Sequence, residues 1–118
     1  MKGSCHCGAV ELAVDLPGGL ATARRCDCSF CARRGAAAVT APLEGLRVVR
    51  GADTLTLYTW GTGTAQHYFC SICGIYTHHQ RRSNPNEHGV NLGILEGVNP
   101  RDLGEIGWVD GVNHPSDS

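Results

Sequence analysis

The sequence predicts a small all-β domain whose core is supplemented by bound metal. Sixteen glycines and five prolines punctuate its 118 residues, and short stretches that alternate apolar and polar residues lie between them. This alternation indicates strands, whereas no stretch sustains the period of an amphipathic helix. A chain of this length buries a smaller share of its surface than a longer one, so metal sites that close long loops would add stability. We expect one folded unit over residues 1–109.

The first predicted strand covers residues 10–14, where apolar and polar side chains alternate. The turn residues of 16–19, which include Pro17 and two glycines, end it. The next two alternating runs, 46–50 and 54–60, are separated by only three residues. They are therefore expected to form a hairpin.

Two strands are predicted on either side of the last cysteine pair. Residues 65–69 lead into this pair and residues 75–80 leave it. Gly74, between them, is expected to adopt the positive φ that a tight knuckle requires. A further strand is predicted over 90–95, and one helical turn over 99–103.

The segment 110–118 is predicted to be a flexible C-terminal tail. It contains glycine, asparagine, proline and two serines, and therefore has little to bury. Function is not expected there, and His114 is expected to be solvated, because a flexible terminus does not hold a catalytic geometry.

The cysteines indicate two zinc sites. All seven occur at metal-ligand spacings, as Cys5-x-Cys7, Cys26-x-Cys28-x2-Cys31 and Cys70-x2-Cys73. Four thiolates close a structural zinc site, whereas three leave one coordination position for water or a substrate atom. The natural division of seven joins the two distant pairs into a closed site. The middle triplet then forms an open site, where chemistry is expected.

A disulfide framework is the alternative interpretation of these cysteines. An odd count leaves one thiol unpaired, and cysteines one residue apart rarely satisfy disulfide geometry with each other. The first twenty residues also lack the basic and apolar regions of a secretory signal. We therefore expect a cytoplasmic protein whose thiols stay reduced and available to metal.

Charge and hydropathy exclude two classes of partner. The net charge is −1, from ten basic and eleven acidic residues, which provides no electrostatic footprint for nucleic acid or an anionic membrane. No apolar run approaches the roughly 20 residues of a membrane-spanning helix. A soluble domain that binds small molecules is predicted.

The cysteine motifs carry a resemblance to a known family. The segments 3–10, 25–31 and 69–74, followed by 89–96, resemble the glutathione-dependent formaldehyde-activating enzyme family, which includes centromere protein V. The resemblance extends over most of positions 3–97. It implies a β-tent, in which antiparallel sheets lean together around two zinc sites.

The resemblance also implies a role for each cysteine and a reaction. Cys5, Cys7, Cys70 and Cys73 would hold the structural zinc, and Cys26, Cys28 and Cys31 the catalytic zinc. The implied reaction is the addition of the glutathione thiol to formaldehyde, giving S-hydroxymethylglutathione; the reverse is a carbon–sulfur lyase step. Zinc would either bind the thiol as thiolate or polarise the aldehyde oxygen.

Several charged residues are candidates for substrate contacts. Arg81 and Arg82 could bind the carboxylates of glutathione, because guanidinium groups match carboxylates in geometry. A solvated loop is the alternative, and it applies equally to Arg33 and Arg34 after the triplet. Asp27 is expected to face solvent.

The histidines are predicted to have supporting roles. His78 and His79 are adjacent on a strand, so only one can face a metal pocket. That histidine could be the fourth ligand of the open site, although a surface or hydrogen-bonded position is favoured. His6 is expected to point away from the zinc that its neighbours bind. His67 and His88 are expected to be structural.

The larger aromatic residues are expected to pack in the core and between the sheets. This applies to Tyr58, Trp60, Phe69 and Trp108. A stacking platform for nucleic acid is disfavoured, because no basic groove is predicted beside them.

Three classes of function stay open. An enzyme acting on thiol–aldehyde adducts at the open zinc is favoured. A non-catalytic, zinc-stabilised binding module would need a histidine to close the three-ligand site. A zinc or redox sensor would use the middle cluster and predicts labile metal and easily oxidised thiols.

Overall fold

The computed structural model describes residues 1–112 and has an all-β architecture with one short helix. The helix and strands are, in chain order, β1 (Lys2–Ser4), β2 (Glu11–Val14), β3 (Arg24–Cys26), α1 (Ser29–Arg34), β4 (Ala38–Pro42), β5 (Leu46–Arg50), β6 (Leu55–Tyr58), β7 (Gln66–Cys70), β8 (Tyr76–Gln80), β9 (Glu87–Asn91) and β10 (Gly107–Val109). No helix in this part of the chain is long and apolar enough to span a bilayer. Residues 113–118, including His114, lie outside the described residues.

The strands form two sheets. The smaller sheet has the order β1-β2-β5, and the larger has the order β10-β3-β4-β9-β8-β7-β6. Neighbouring strands are antiparallel, except that β10 runs parallel to β3. The predicted all-β class with antiparallel sheets is confirmed.

Buried side chains from both sheets form a single hydrophobic cluster. Leu12 and Val14 of β2 join Val39 and Ala41 of β4 and Val90 of β9, and all five are at most 4% exposed. Along β2 and β4 the buried residues alternate with partly exposed ones, as the period of two predicts for a strand with one buried face. Burying each Val or Leu contributes roughly 1.5–3 kcal/mol. This cluster fixes the two sheets against each other.

Most of the predicted elements are present. The strands predicted over 10–14, 65–69 and 75–80 correspond to β2, β7 and β8. Gly74 has a φ of +77°, as its position in the knuckle requires. The helical turn predicted over 99–103 is a 3-10 turn, Pro100–Leu103.

The strand predicted over 90–95 is only partly correct. β9 ends at Asn91, and Leu92–Ile94 forms a 3-10 turn. The Asn91 side chain caps this turn by accepting a hydrogen bond of 2.9 Å from the amide of Gly93. An asparagine that caps a turn stops a strand even where apolar residues follow.

The predicted hairpin of 46–50 and 54–60 is wrong. β5 pairs with β2 in the smaller sheet, whereas β6 pairs with β7 in the larger sheet. Gly51, at a φ of +87°, and the 3-10 turn Ala52–Thr54 lead the chain from one sheet to the other. Alternation identifies a strand but does not identify its partner, so proximity along the chain was misleading here.

Replacing Gly51 by alanine is expected to lower the melting temperature by roughly 10 °C or more, equivalent to about 2 kcal/mol or more. An added Cβ would overlap the carbonyl oxygen of Ala9 and lie 3.0 Å from the Cα of Val10, in addition to the strain of a positive φ. Gly61→Ala is the matched control, because its φ is +62° but nothing lies within 4 Å of the added Cβ. Thermal unfolding of the two variants measures the difference. Equal melting of the two would contradict the close packing at Gly51.

Candidate metal centres and cleft

The two distant cysteine pairs meet at the junction of the two sheets. Cys5 and Cys7 lie in the connection between β1 and β2 of the smaller sheet. Cys70 ends β7 of the larger sheet, and Cys73 lies in the turn that leads to β8. The four Sγ atoms lie within 4.8 Å of one another. We call this group the thiol quartet; an ion held there would join the two sheets.

The spacing of the quartet fits a tetrahedral metal ion. The Sγ of Cys7 is 3.7 Å from that of Cys5 and 3.7 Å from that of Cys70. Four sulfurs at a zinc–sulfur distance of about 2.3 Å in a tetrahedron are about 3.8 Å apart. The amide of Val10 also donates to the Sγ of Cys5 at 3.3 Å, which stabilises a thiolate.

The middle three cysteines form a second group, which we call the thiol triplet. Cys26 ends β3, Cys28 caps α1, and Cys31 lies within the helix. Their Sγ atoms lie within 4.8 Å of one another. The amide of Cys31 donates to the Sγ of Cys28 at 3.3 Å. The six-residue helix α1 thus folds the triplet into one corner, although it is too short to show a periodicity in the sequence.

The protonation of the triplet depends on a bound cation. Burial raises the pKa of the Cys31 thiol to about 12, although the nearby Arg34 lowers it. Burial also raises the pKa of Cys26, and the neighbouring Cys28 sulfur adds to this effect. At Cys28, burial is outweighed by hydrogen bonds from the Cys31 amide and the neighbouring thiols, which lower the pKa of this thiol. The three thiols therefore do not all ionise together at neutral pH unless a cation compensates their charge. Binding a divalent ion would release their protons, as metal binding to thiols does in general.

The triplet, and not the quartet, opens onto a cleft. The cleft has a volume of about 550 Å³, and all three triplet cysteines line it. None of the quartet cysteines is among the described lining residues. Within the quartet, Cys5 and Cys70 are buried, at 2% and 0% exposure, whereas Cys73 is partly exposed and Cys7 is exposed. The two groups therefore differ in the cleft beside them and not in overall burial, because the triplet lines a cleft and the quartet does not.

Arg34 connects the triplet to the interior of the cleft. Its Nη2 lies 3.6 Å from the Sγ of Cys31, and its Nη1 lies 3.1 Å from Nδ1 of His67. Its guanidinium carbon lies 3.7 Å from the ring centroid of Tyr76 and 4.6 Å from that of Phe30. Arg34 therefore provides a fixed positive charge beside the thiols. Arg33, by contrast, is exposed and donates to the carbonyl of Ser29.

The adjacent histidines of β8 face opposite sides, as predicted. His79 lines the cleft. His78 is buried on the other side, where it lies 2.9 Å from the Thr77 hydroxyl and stacks on Tyr68. His67, for which a structural role was predicted, also lines the cleft and stacks on His79 at 5.0 Å. Within residues 1–112, no histidine nitrogen lies within 4.8 Å of all three triplet sulfurs, so no histidine is placed as a fourth ligand.

Arginines surround the mouth of the cleft. Arg81 and Arg82 line it, and so do Arg24 and Arg25. Arg81 also lies 3.6 Å from Glu87. The lining residues within 1–112 include no aspartate or glutamate. The cleft thus attracts anions although the whole chain has a net charge of −1.

An aromatic wall faces the helix α1, contrary to the expected core packing. The ring of Phe30 stacks on that of Tyr58, with 5.4 Å between the ring centroids, and it is tilted against the ring of Trp60, with 6.3 Å between centroids. Trp60 is 37% exposed and lines the cleft, and Trp108 is 63% exposed. The prediction that these two tryptophans pack in the core is wrong. Trp108 lies on β10, the strand at one edge of the larger sheet.

The segment after β10 lies against the triplet. The amide of Gly111 donates to Oδ1 of Asp27 at 2.7 Å. The Cα of Gly111 is so close to Cys26 and Cys28 that a side chain there would overlap both. Val112 lines the cleft beside it. Sequence analysis placed no function in 110–118, because this segment has little to bury and was expected to be flexible.

Comparisons with known proteins agree with this architecture. A family model described as glutathione-dependent formaldehyde-activating enzyme matches residues 1–106. The crystal structure of a Rhodobacter sphaeroides protein is similar to this chain, with 72% sequence identity and a TM-score of 0.91. The similarity covers 92% of this chain and 100% of that one. The family match ends before β10 and Gly111, which complete one wall of the cleft.

Proposed function

This chain belongs to the glutathione-dependent formaldehyde-activating enzyme family, and we propose that it is a zinc-dependent carbon–sulfur lyase. It would add a thiol such as glutathione to formaldehyde or a related aldehyde, or cleave such adducts. The observation that carries this proposal is the difference between the two thiol groups. The triplet lines a cleft large enough for a small peptide thiol, whereas the quartet does not.

Zinc is the metal that best fits both groups. All ligands would be thiolates, and four thiolates with tetrahedral spacing are typical of structural zinc. The quartet would hold a structural ion, and the triplet a catalytic ion with one open position. A zinc ion at the triplet would supply Lewis acidity, which favours the thiolate form of an incoming thiol.

The residues around the triplet would partly neutralise the negative charge of a zinc ion bound by three thiolates. Three thiolates and one divalent cation leave a net charge of −1 in a partly buried corner. The guanidinium of Arg34, 3.6 Å from Cys31, offsets this charge. The amide of Cys31 does the same at Cys28. An anionic thiolate can then approach without facing the full repulsion of the three ligands.

The arginines would bind the thiol substrate through its carboxylates. Glutathione carries two carboxylates, and Arg81 and Arg82 lie at the cleft with Arg24 and Arg25. The aromatic side chains of Phe30 and Trp60 would cover the apolar part of the substrate and exclude water. A glutathione-type thiol is abundant in the reducing cytoplasm, which is the compartment we propose for the protein.

Substituting Arg82 by glutamine is expected to raise KM for glutathione about tenfold and to leave kcat nearly unchanged. An ionic contact made equally in the ground and transition states affects KM alone. The effect should be absent for cysteamine, which has no carboxylate. Arg47→Gln is the matched control, because Arg47 is exposed on β5 in the other sheet. An equal loss with both thiols would argue against carboxylate binding by Arg82.

The proposed function is tested by metal content and by exchange kinetics. We expect two zinc ions per chain, and an acceleration of the exchange between glutathione, formaldehyde and their adduct. Exchange NMR at equilibrium measures this rate above the uncatalysed reaction, which is itself fast. Two zinc ions without any acceleration by a range of thiols and aldehydes would favour a binding module instead. Rapid oxidation of the triplet with zinc release would favour a sensor.

A further inference from the structure

Four side chains form a closed ring of contacts that reaches the triplet through Arg34, whose Nη2 lies 3.6 Å from the Sγ of Cys31. Arg34 contacts the ring of Tyr76 at 3.7 Å and Nδ1 of His67 at 3.1 Å. His67 stacks on His79 at 5.0 Å. The Tyr76 hydroxyl lies 2.6 Å from Nδ1 of His79, which closes the ring. Each side chain is therefore held by two others, and His67 and His79 also line the cleft.

The contacts of Tyr76 determine where the proton of His79 lies. Burial raises the pKa of Tyr76 to about 12, so its hydroxyl keeps one proton at neutral pH. This proton has two possible acceptors, Nδ1 of His79 at 2.6 Å and the carbonyl of Gly89 at 3.4 Å. The shorter distance is that of a strong hydrogen bond and the longer one is weak. The shorter contact favours Nδ1 of His79 as the acceptor, and with that assignment the ring proton is on Nε2.

The surroundings of His79 keep its ring neutral and in place. Burial lowers the pKa of His79 well below its ordinary value, and the nearby charges of Arg34, His67 and Arg81 act in the same direction. Gly89 lies opposite His79 on β9, and any side chain there would overlap the imidazole. A neutral ring held in this way presents a single N–H. The other nitrogen is already used by Tyr76.

We propose that His79 is a catalytic residue whose Nε2–H donates a hydrogen bond to the aldehyde oxygen, and that Tyr76 is the positioning residue that fixes this tautomer. The inference rests on the proposed function. In the addition, a lone pair of the thiolate sulfur forms the carbon–sulfur bond, and the π pair of the carbonyl moves to oxygen. The proton that the thiol lost to solvent returns from solvent to this oxygen. No oxidant or reductant is involved.

A donor of this kind is needed because the thiol triplet is electron-rich. Three thiolate ligands leave less positive charge on the metal than neutral imidazoles do. Arg34, the cation nearest to the triplet thiols in the described contacts, is already engaged by Cys31, His67 and two aromatic rings. A fixed N–H directed at the developing oxyanion stabilises it without any reorganisation during the reaction. His79 lines the cleft and can supply this contact.

The tautomer can be measured without any assay of activity. Long-range nitrogen–proton NMR of the zinc-loaded protein distinguishes a protonated Nε2 from a protonated Nδ1. We expect the Nε2–H form in the native protein and a mixture of both forms in Tyr76→Phe. A protonated Nδ1 in the native protein would overturn the inference, because Nε2 would then have no proton to donate.

Kinetics of three variants complete the test. His79→Phe keeps an aromatic ring against His67 but has no donor, and we expect kcat to fall about 100-fold. KM and the zinc content should change little. His79→Gln, which restores an N–H, should recover part of this loss, and Tyr76→Phe should lower kcat about tenfold. Full activity of His79→Phe would overturn the inference while leaving the proposed function intact.

The failure of the proposed function would look different. A native protein no faster than buffer with any thiol and aldehyde would overturn the proposed function, and the role of His79 with it. If His79→Phe does not fold, the comparison of native protein with His79→Gln and Tyr76→Phe still decides. Equal rates in these three proteins, together with the same His79 tautomer in the native protein and in Tyr76→Phe, would also overturn the inference.

Discussion

Cys73→Ser is expected to unfold the domain, whereas Cys28→Ser is expected to leave it folded and to abolish catalysis. The two cysteines differ in what their metal would hold together. Cys73 belongs to the quartet, which lies at the junction of the two sheets. Cys28 belongs to the triplet, whose three members span only residues 26–31. Without the quartet ion, segments that are far apart in the chain are no longer joined. Without the triplet ion, only a connection within residues 26–31 is lost.

The size of this difference follows from the energy of structural zinc. Structural zinc contributes about 10–16 kcal/mol in zinc-finger peptides, which equals or exceeds the typical stability of a domain, about 5–15 kcal/mol. Within the quartet, Cys7 and Cys70 are 63 positions apart in the chain, yet their sulfurs are 3.7 Å apart. Without the metal, the chain entropy of closing that loop is no longer offset. We therefore expect Cys73→Ser to have no cooperative melting transition at 25 °C or above.

Elemental analysis and thermal unfolding measure the two effects together. Native protein should contain two zinc ions per chain, and dialysis against a mild chelator should remove one of them. Cys28→Ser should contain one ion, melt within a few degrees of the native protein and show no catalysed exchange. If both variants melt alike, the division into a structural and a catalytic group is wrong. A native protein with one zinc and three titratable thiols would remove the main support for the enzyme.

The local features of this fold were predictable because short-range rules determine them. Residues 10–14 and 75–80 alternate, and alternation with one buried face specifies a strand. Gly74 follows a C-x2-C pair, where only glycine adopts a positive φ without strain. The thiol quartet and the thiol triplet were predictable for a related reason, because cysteines two or three residues apart on one turn lie close enough to bind the same ion.

The pairing of strands was not predictable in the same way. β5 and β6 are separated by four residues but belong to different sheets. The sequences of β5 and β6 specify pleated strands with one buried face, but they do not specify the partner of either strand. β2 suits β5, and β7 suits β6, as well as β5 and β6 would suit each other. β1, β3, β4 and β10 were missed because they are short or lack alternating polar residues. Contacts between residues far apart in the chain determine which of these strands form and how they pair.

The sequence analysis weighed Arg34 and one of His78 and His79 as site residues, but it missed His67 and could not bring these side chains together. Arg34, His67 and His79 come from α1, β7 and β8, and only the folded sheet brings them together. Alone, each is an ordinary basic or imidazole residue with no motif. Their common signal would have been the position of β7 next to β8, with His67 paired to His79. That register required the pairing of the two strands to be known first.

Gly111→Ala is expected to weaken metal binding at the triplet by about 10–100-fold, which is the usual cost of disturbing groups that support metal ligands. A Cβ at this position would overlap the Sγ of Cys26 and lie 2.7 Å from the Cβ and 2.8 Å from the amide nitrogen of Cys28. The backbone must then move away, which breaks the 2.7 Å hydrogen bond from Gly111 to Asp27. The quartet is not in contact with this change, so its zinc should remain.

Gly107→Ala is the matched control, because its added Cβ would meet only the flexible side chain of Arg24, at an ordinary distance of 3.5 Å. We expect Gly107→Ala to bind two zinc ions with native affinity, and Gly111→Ala to lose one of them to a chelator concentration that the native protein resists. Competition with a chromogenic chelator measures both affinities, and exchange NMR measures the activity. Native affinity in Gly111→Ala would show that the segment after β10 yields without disturbing the triplet. The close packing of Gly111 would then have no part in holding a metal ion at the triplet.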